Sequence, residues 1–294
     1  MSHFKEDVKN KYILMQKIGT GNYTYVHKAE NKMNKEIRAI KIINLKDIRL
    51  DLEDKYTDED VKEQLNKFIE DIKNEINIMK ICGENNENSI KFYESFETDD
   101  EFAIVMELAN ENLMKFIKNK KLDSEEICEI LIQLNKTFKI MKEKKIVHRD
   151  LKPRNILIKY KDKEQKDFVV KLCDYGISKK TTENTEVKTM NKGTRQYEAP
   201  EIMKLEEDHI YSNKCDLWSM GIIIYELYFG EVPEYNNVIL GNIALGKKKL
   251  KKINDKELED LINGLLEEDP NKRMSWDEYL NHPFFNVEKI NRRR

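Results

Sequence analysis

The sequence predicts an α+β chain in two parts, a small β-rich lobe with one main helix and a larger, mostly helical lobe. Three observations carry that expectation. Up to about residue 107 the chain is a series of short segments rich in β-branched and aromatic residues, separated by turn formers. After Leu108 the apolar residues recur at helical spacing. No Pro- or Gly-rich linker and no internal repeat divides the 294 residues further.

Taken in order, the expected strands are "YILMQKIGTG", "YTYVHKAE", "EIRAIKII", "IKFYESFE" and "EFAIVMEL". One stripe interrupts them: Leu65, Phe68, Ile69, Ile72, Ile76 and Met79 follow the i, i+3, i+4, i+7 rhythm of an amphipathic helix. In the second part, Asp123 followed by Glu126 reads as a capping box, opening a helix with Ile127, Ile130, Leu131, Leu134, Phe138 and Met141 on one face. "DLWSMGIIIYELYF" is apolar all round and predicts a buried helix. Leu258, Leu261, Ile262, Leu265 and Leu266 form a further stripe, and Ser275 with Glu278 caps a last helix. The lobes are expected at about 12–107 and 108–285, with short extensions at 1–11 and 286–294 and a ligand in the cleft between the lobes.

Charged residues make up 37% of the chain, but Lys+Arg (53) and Asp+Glu (55) nearly cancel. A net charge of -2 describes a solvated mixed surface and gives no reason to expect nucleic acid or a membrane as partner. The apolar runs are too short to span a bilayer, and "MSHFKEDVKN" lacks the apolar core of a signal peptide. Cys82, Cys128, Cys173 and Cys215 are widely spaced with no CxxC pair, which argues against a zinc site or a disulfide framework. A cytoplasmic location is expected, with the nucleus left open.

Several stretches carry chemistry. "IGTGNYTYV" places Gly19 and Gly21 in a turn between strands, where backbone N–H groups can approach phosphate oxygens without a Cβ in the way. Glycines in a hairpin serve equally as a plain turn, and Thr24 stands where a third glycine would complete G-x-G-x-x-G. "RAIKII" puts Lys41 in an apolar strand, either snorkelling from an edge or aimed at a phosphate and held by Glu75. Asp174, in "KLCDYGISK", ends a strand beside Gly176 as a turn residue or as a ligand for a divalent cation. "IVHRDLKPRNIL" crowds polar groups between apolar ends. Asp150 can accept the proton of an attacking hydroxyl, Lys152 can neutralise a moving phosphoryl group and Asn155 can ligate metal.

The glycine turn, Lys41 in "AIK", Glu75, "HRDLKPRN", "DYG", "GTRQYEAPE" and "DLWSMG" stand in an order and spacing that resembles the eukaryotic protein kinases, from about Tyr12 to Phe285. The resemblance implies a bilobal protein-kinase-like fold of serine/threonine type, using ATP and Mg²⁺ on protein substrates with Ser or Thr acceptors. By that resemblance Ile18, Gly19 and Gly21 cover the nucleotide, Lys41 holds its α- and β-phosphates and pairs with Glu75, and Val26, Ala39 and Leu157 sandwich adenine. Met106 is the gatekeeper, with Glu107 to Ala109 as the hinge. Asp150 is the base, Lys152 assists it, and Asn155 and Asp174 hold the metal. Phe92, Met79, Tyr175 and His148 stack over Asp216, Thr194 contacts the base and lysine, and Glu201 pairs with Arg273.

Thr189, among Thr181, Thr182 and Thr185, is the expected phosphosite for an upstream kinase or for autophosphorylation, with Arg149 receiving the phosphate. The chain departs from the pattern in Tyr175, in Thr24 and in the 34 positions from Lys41 to Glu75, whose charged middle reads as a solvated helical extension or a partner-binding element. A catalytically dead binding scaffold is a competing expectation, against which Lys41, Glu75, Asp150, Asn155 and Asp174 are all present. A small-molecule kinase is another, disfavoured by "APE", Thr194 and "DLWSMG".

Overall fold

A computed structural model describes residues 8–118, 120–176, 178–180, 195–203, 213–233 and 250–286. The chain divides into two compact units, Met1–Asn110 and Glu111–Arg294.

In the first unit, side-chain alternation along each strand decides what is buried. Strands β1 (Tyr12–Gly21), β2 (Thr24–Asn31), β3 (Ile37–Asn44), β4 (Phe92–Glu97) and β5 (Glu101–Glu107) form an antiparallel sheet in the order β1-β2-β3-β5-β4. On one face Ala29, Ile40, Ala103 and Val105 pack with Tyr12 and with Val8, which lies upstream of the first strand. The central strand β5 buries Phe102, Ala103, Ile104 and Val105 in succession, so both faces of the sheet are covered there.

Two helices separate β3 from β4. Helix α1 (Leu45–Glu53) starts at Asn44, whose side chain accepts from the Asp47 N–H, and it buries Leu45 and Ile48. Helix α2 (Asp58–Gly83) starts at Thr57, opens with three acids that suit the positive end of its dipole, and buries Ile72, Glu75, Ile76 and Met79 in its second half. The charged stretch after Lys41 is therefore helical, but it is a separate short helix followed by an α2 that begins well before the apolar stripe.

In the second unit, β6 (Glu111–Asn112) leads into the single turn α3 (Leu113–Phe116), and α4 (Ser124–Glu143) follows. Its start carries the reciprocal capping box: the Glu126 N–H donates to Asp123 Oδ1 at 2.9 Å and the Asp123 N–H to Glu126 Oε2 at 3.0 Å. Strands β7 (Ile146–Val147), β8 (Ile156–Tyr160) and β9 (Phe168–Leu172) come next, with β6, β8 and β9 forming one sheet. The two-residue β10 (Lys179–Lys180) pairs with β7.

Past the one-turn helix α5 (Pro200–Met203), α6 (Cys215–Phe229) is buried on nearly every side, as its apolar sequence requires, and it ends at Gly230 with φ +75°. Each fully buried Ile or Leu there contributes about 1.5–3 kcal/mol. A Cβ on Gly221 would lie 2.6 Å from Leu266 Cδ2, so glycine lets α6 meet the chain just after α7 (Lys256–Leu265). Helix α8 (Trp276–Leu280) has its own capping box from Ser275 and Glu278.

Candidate active site

Register brings the first unit's candidates onto one face of its sheet. Directly opposed residues of an antiparallel pair point to the same side. Gly19 opposes Val26, Val26 opposes Lys41, and Ala39 opposes Met106. Ala39 and Lys41 are two apart in β3, so Gly19, Val26, Ala39, Lys41 and Met106 share a face.

Helix α2 lies on that face, since Lys41 Nζ donates to Glu75 Oε1 at 2.7 Å. The side chains are 17% and 5% exposed, so the carboxylate is taken out of water and the ammonium compensates it. At the glycine turn a Cβ on Gly21 would fall 2.5 Å from Thr24 Oγ1, so a side chain there would force Thr24 to shift. Ile18, beside it, is exposed. The Glu107 N–H donates to the Lys91 carbonyl at 2.9 Å, while Leu108 and Ala109 follow the end of β5.

In the second unit the polar loop between β7 and β8 is tied down from several directions. Asp216, from α6, is 1% exposed, and its two oxygens accept from the His148 N–H at 2.7 Å and the Arg149 N–H at 2.8 Å. Burial pushes its pKa up, partly offset by His148 and by those two backbone hydrogen bonds. Arg149 takes φ +67°, a left-handed backbone that Asp216 holds in place. The Asp150 N–H donates to His148 Nδ1 at 3.3 Å, and His148 Nε2 lies 3.1 Å from the Cys173 carbonyl.

Asp150 itself sits in a short network. Its Oδ2 accepts from Lys152 Nζ at 2.7 Å and from Asn155 Nδ2 at 3.0 Å, and Asn155 Nδ2 also donates to the Asp150 carbonyl at 2.8 Å. The Cys173 N–H donates to the Asn155 carbonyl at 3.0 Å, which brings Asp174 next to Asn155. Asp174 is exposed, with φ +64°. Leu157 lies in β8, opposite Lys171 of β9. Tyr175 is fully buried with its ring centroid 5.3 Å from that of His148.

Glu201 and Arg273 form a two-pronged pair at 2.6 and 2.8 Å. Thr194 and the threonines 181, 182, 185 and 189 lie outside the described residues.

The sequence reading missed the support behind the pocket next to Asp150, whose lining includes Arg149, Tyr197, Glu198 and Ile202. There the Tyr197 hydroxyl donates to Glu226 Oε2 at 2.8 Å and Ser219 Oγ to the Tyr197 carbonyl at 2.7 Å. Burial raises the pKa of Glu226, and burial together with that carboxylate raises the pKa of Tyr197. A lone acid in the otherwise apolar "IIIYELYF" was the available signal.

Among the described residues no helix is long and apolar enough to cross a membrane, and no three His, Cys, Asp or Glu side chains cluster as a metal site. The model of the protein kinase domain family matches residues 12–285. The chain is 33% identical to serine/threonine-protein kinase TIO of Arabidopsis thaliana and 31% identical to serine/threonine-protein kinase 36 of Mus musculus. Each alignment covers 93% of this chain but 19% of the relative, so the chain spans about a fifth of their length. Myosin light chain kinase A of Dictyostelium discoideum is 28% identical over 97% of this chain and 91% of its own.

Proposed function

Because the chain belongs to the protein kinase family, we propose that it is an active serine/threonine protein kinase, transferring the γ-phosphoryl group of ATP to hydroxyls of protein substrates. The observation that supports this most directly is the Asp150 network. One carboxylate oxygen is fixed by Lys152 and Asn155, which orients the carboxylate as a base for a Ser or Thr hydroxyl. Lys152, already beside it, neutralises charge on the group in transit.

The donor set suits Mg²⁺. Asn155 spends its amide nitrogen on two bonds to Asp150, leaving Oδ1 as a neutral oxygen with no donor among the described residues. Asp174, brought beside it, adds a carboxylate, and hard oxygen donors of this kind, completed by phosphates and water, are what Mg²⁺ takes. Bound there, the ion supplies charge neutralisation at the phosphates.

On the first unit, Ile18, Gly19 and Gly21 cover the nucleotide while Lys41, braced by Glu75, meets the α- and β-phosphates. Val26 and Ala39 meet adenine, with Met106 as gatekeeper and the backbone from Glu107 to Ala109 reaching its edge. Protein substrates are the partners, and a phosphate on Thr189, from an upstream kinase or from the enzyme itself, orders the segment before Glu201 through Arg149. Cys82, Cys128, Cys173 and Cys215 form no disulfide among the described residues, which fits a reducing compartment, the cytoplasm or nucleus.

The test is incubation with γ-labelled ATP, Mg²⁺ and a mixture of generic proteins. Label on serine and threonine, lost on chelation, is expected. Nucleotide binding without transfer would instead make the chain a scaffold, and label confined to small molecules would make it a small-molecule kinase.

A further inference from the structure

Strand β1 is an edge of the first unit's sheet, and its pairing with β2 is irregular. Leu14 opposes Ala29, Lys17 opposes His27 and Gly19 opposes Val26. Between the first two pairs β1 sets Met15 and Gln16 against Lys28 alone, and between the last two it inserts Ile18. These are two β-bulges, each giving β1 one residue more than its partner.

The bulges decide which side chains meet which face. Tyr12 and Leu14 lie on the face of Ala29 and Ile40. Strict alternation from there would carry Lys17 to the opposite face, that of Val26 and Lys41, and turn Ile18 away from it. Instead Lys17 opposes His27, the neighbour of Val26 in β2, and so points away from Lys41. Its ammonium lies 3.9 Å from the centre of the Tyr25 ring, a cation–π contact. Ile18 and Gly19 both stand against Val26 across the second bulge, and Ile18 is 44% exposed there.

A one-residue slip to regular pairing would move side chains to the wrong face, so the bulged register needs a fastening. The structure supplies one: His27 Nδ1 lies 3.2 Å from the Met15 carbonyl oxygen, inside the first bulge. We infer that the paired bulges of β1 present Ile18, and not Lys17, to the nucleotide, and that His27 is a positioning residue that latches the first bulge. An apolar side chain over adenine gains burial on binding, whereas an ammonium there would lose water without a partner. The inference rests on the proposed binding of nucleotide to that face. His27 is directed to the other face, so its effect reaches the nucleotide only through β1.

The experiment compares the full chain with His27→Ala, His27→Asn and Lys17→Met, by hydrogen exchange without nucleotide and by steady-state kinetics. In His27→Ala the amides from Met15 to Gly19 should exchange faster, and the KM for ATP should rise about threefold with kcat nearly constant. His27→Asn keeps a donor at the same reach and should restore both values. Lys17→Met should leave the KM for ATP within about twofold of the parent.

Unchanged exchange in His27→Ala, or no restoration in His27→Asn, would overturn the latch. Faster exchange with an unchanged KM would overturn the positioning role. A KM raised tenfold in Lys17→Met would put that lysine on the nucleotide face and overturn the exchange of the two side chains. If the parent transfers no phosphate, the affinity of an ATP analogue replaces KM. If no analogue binds, the nucleotide reading fails and the positioning role with it, while exchange still decides the latch.

Discussion

Lys41 and Glu75, 34 positions apart, meet at 2.7 Å, with the carboxylate almost entirely out of water. A strand and a helix separated by another helix converge on one ion pair. Burying a carboxylate is costly and the ammonium offsets part of that cost, so the pair couples the position of α2 to that of the lysine.

Substituting either partner should therefore uncouple chemistry from folding. Lys41→Met is expected to abolish phosphoryl transfer, and Glu75→Gln to lower kcat/KM by about tenfold or more, with the charge opposite the ammonium removed. Transfer assays on variants shown to be folded by circular dichroism check this. Parent-level activity in Lys41→Met would remove the lysine from the phosphate site.

Arg273 is 1% exposed, and besides Glu201 it donates through Nε to the Glu267 carbonyl at 2.9 Å and through Nη1 to the Lys214 carbonyl at 3.0 Å. Lysine retains the charge but cannot reproduce a planar fork. Arg273→Lys should cost about 2 kcal/mol, seen in calorimetry as a Tm lower by about 4–8 °C. An unchanged Tm would mean the fork contributes nothing measurable.

Much of this framework was legible in the sequence, for a physical reason. β1 occupies the segment read as a strand, and the capping boxes of Asp123 with Glu126 and Ser275 with Glu278 open helices α4 and α8. Each signal is local, a period or a spacing within a few residues. The Asp150 loop was readable for the same reason, since Asp150, Lys152 and Asn155 lie within one short stretch.

What the sequence concealed is held together from a distance. Helix α1 is short, with four apolar residues, Leu45, Ile48, Leu50 and Leu52, in nine, and is fixed by carbonyls of Asp99 and Asp100. Tyr197 depends on Glu226, 29 residues away, and Val8 packs against strands that lie far along the chain. No local pattern encodes such partners.

Arg154 is exposed and makes no ion pair among the described residues, while its charge opposes the upward shift of Tyr197 in the pocket next to Asp150. If the acceptor hydroxyl docks at Asp150 as proposed, a guanidinium at this position would repel arginine in a substrate. Two like charges about 4 Å apart cost about 4 kcal/mol at an effective dielectric near 20, and a quarter of that is about fivefold in selectivity. A peptide-library profile should show selection against arginine just before the acceptor, tolerance of acids there, and a shift towards basic peptides in Arg154→Glu. A strong arginine preference in the parent enzyme would contradict this.

Phosphopeptide mapping of active protein should find Thr189 modified, with a phosphate of about −1.5 to −2 charge available to Arg149. Replacing Thr181, Thr182, Thr185 and Thr189 together by alanine should depress activity. Full activity in that variant would rule out a phosphate switch.

The central claim is that Asp150 is the base of phosphoryl transfer, and single-turnover kinetics of Asp150→Asn measure it most directly. The amide cannot take the hydroxyl proton, while the backbone anchors of the loop at Asp216 are untouched. The transfer step should slow by about two to four orders of magnitude with ATP affinity nearly unchanged. Transfer at the parent rate, with nucleotide bound equally well, would contradict the assignment of the site.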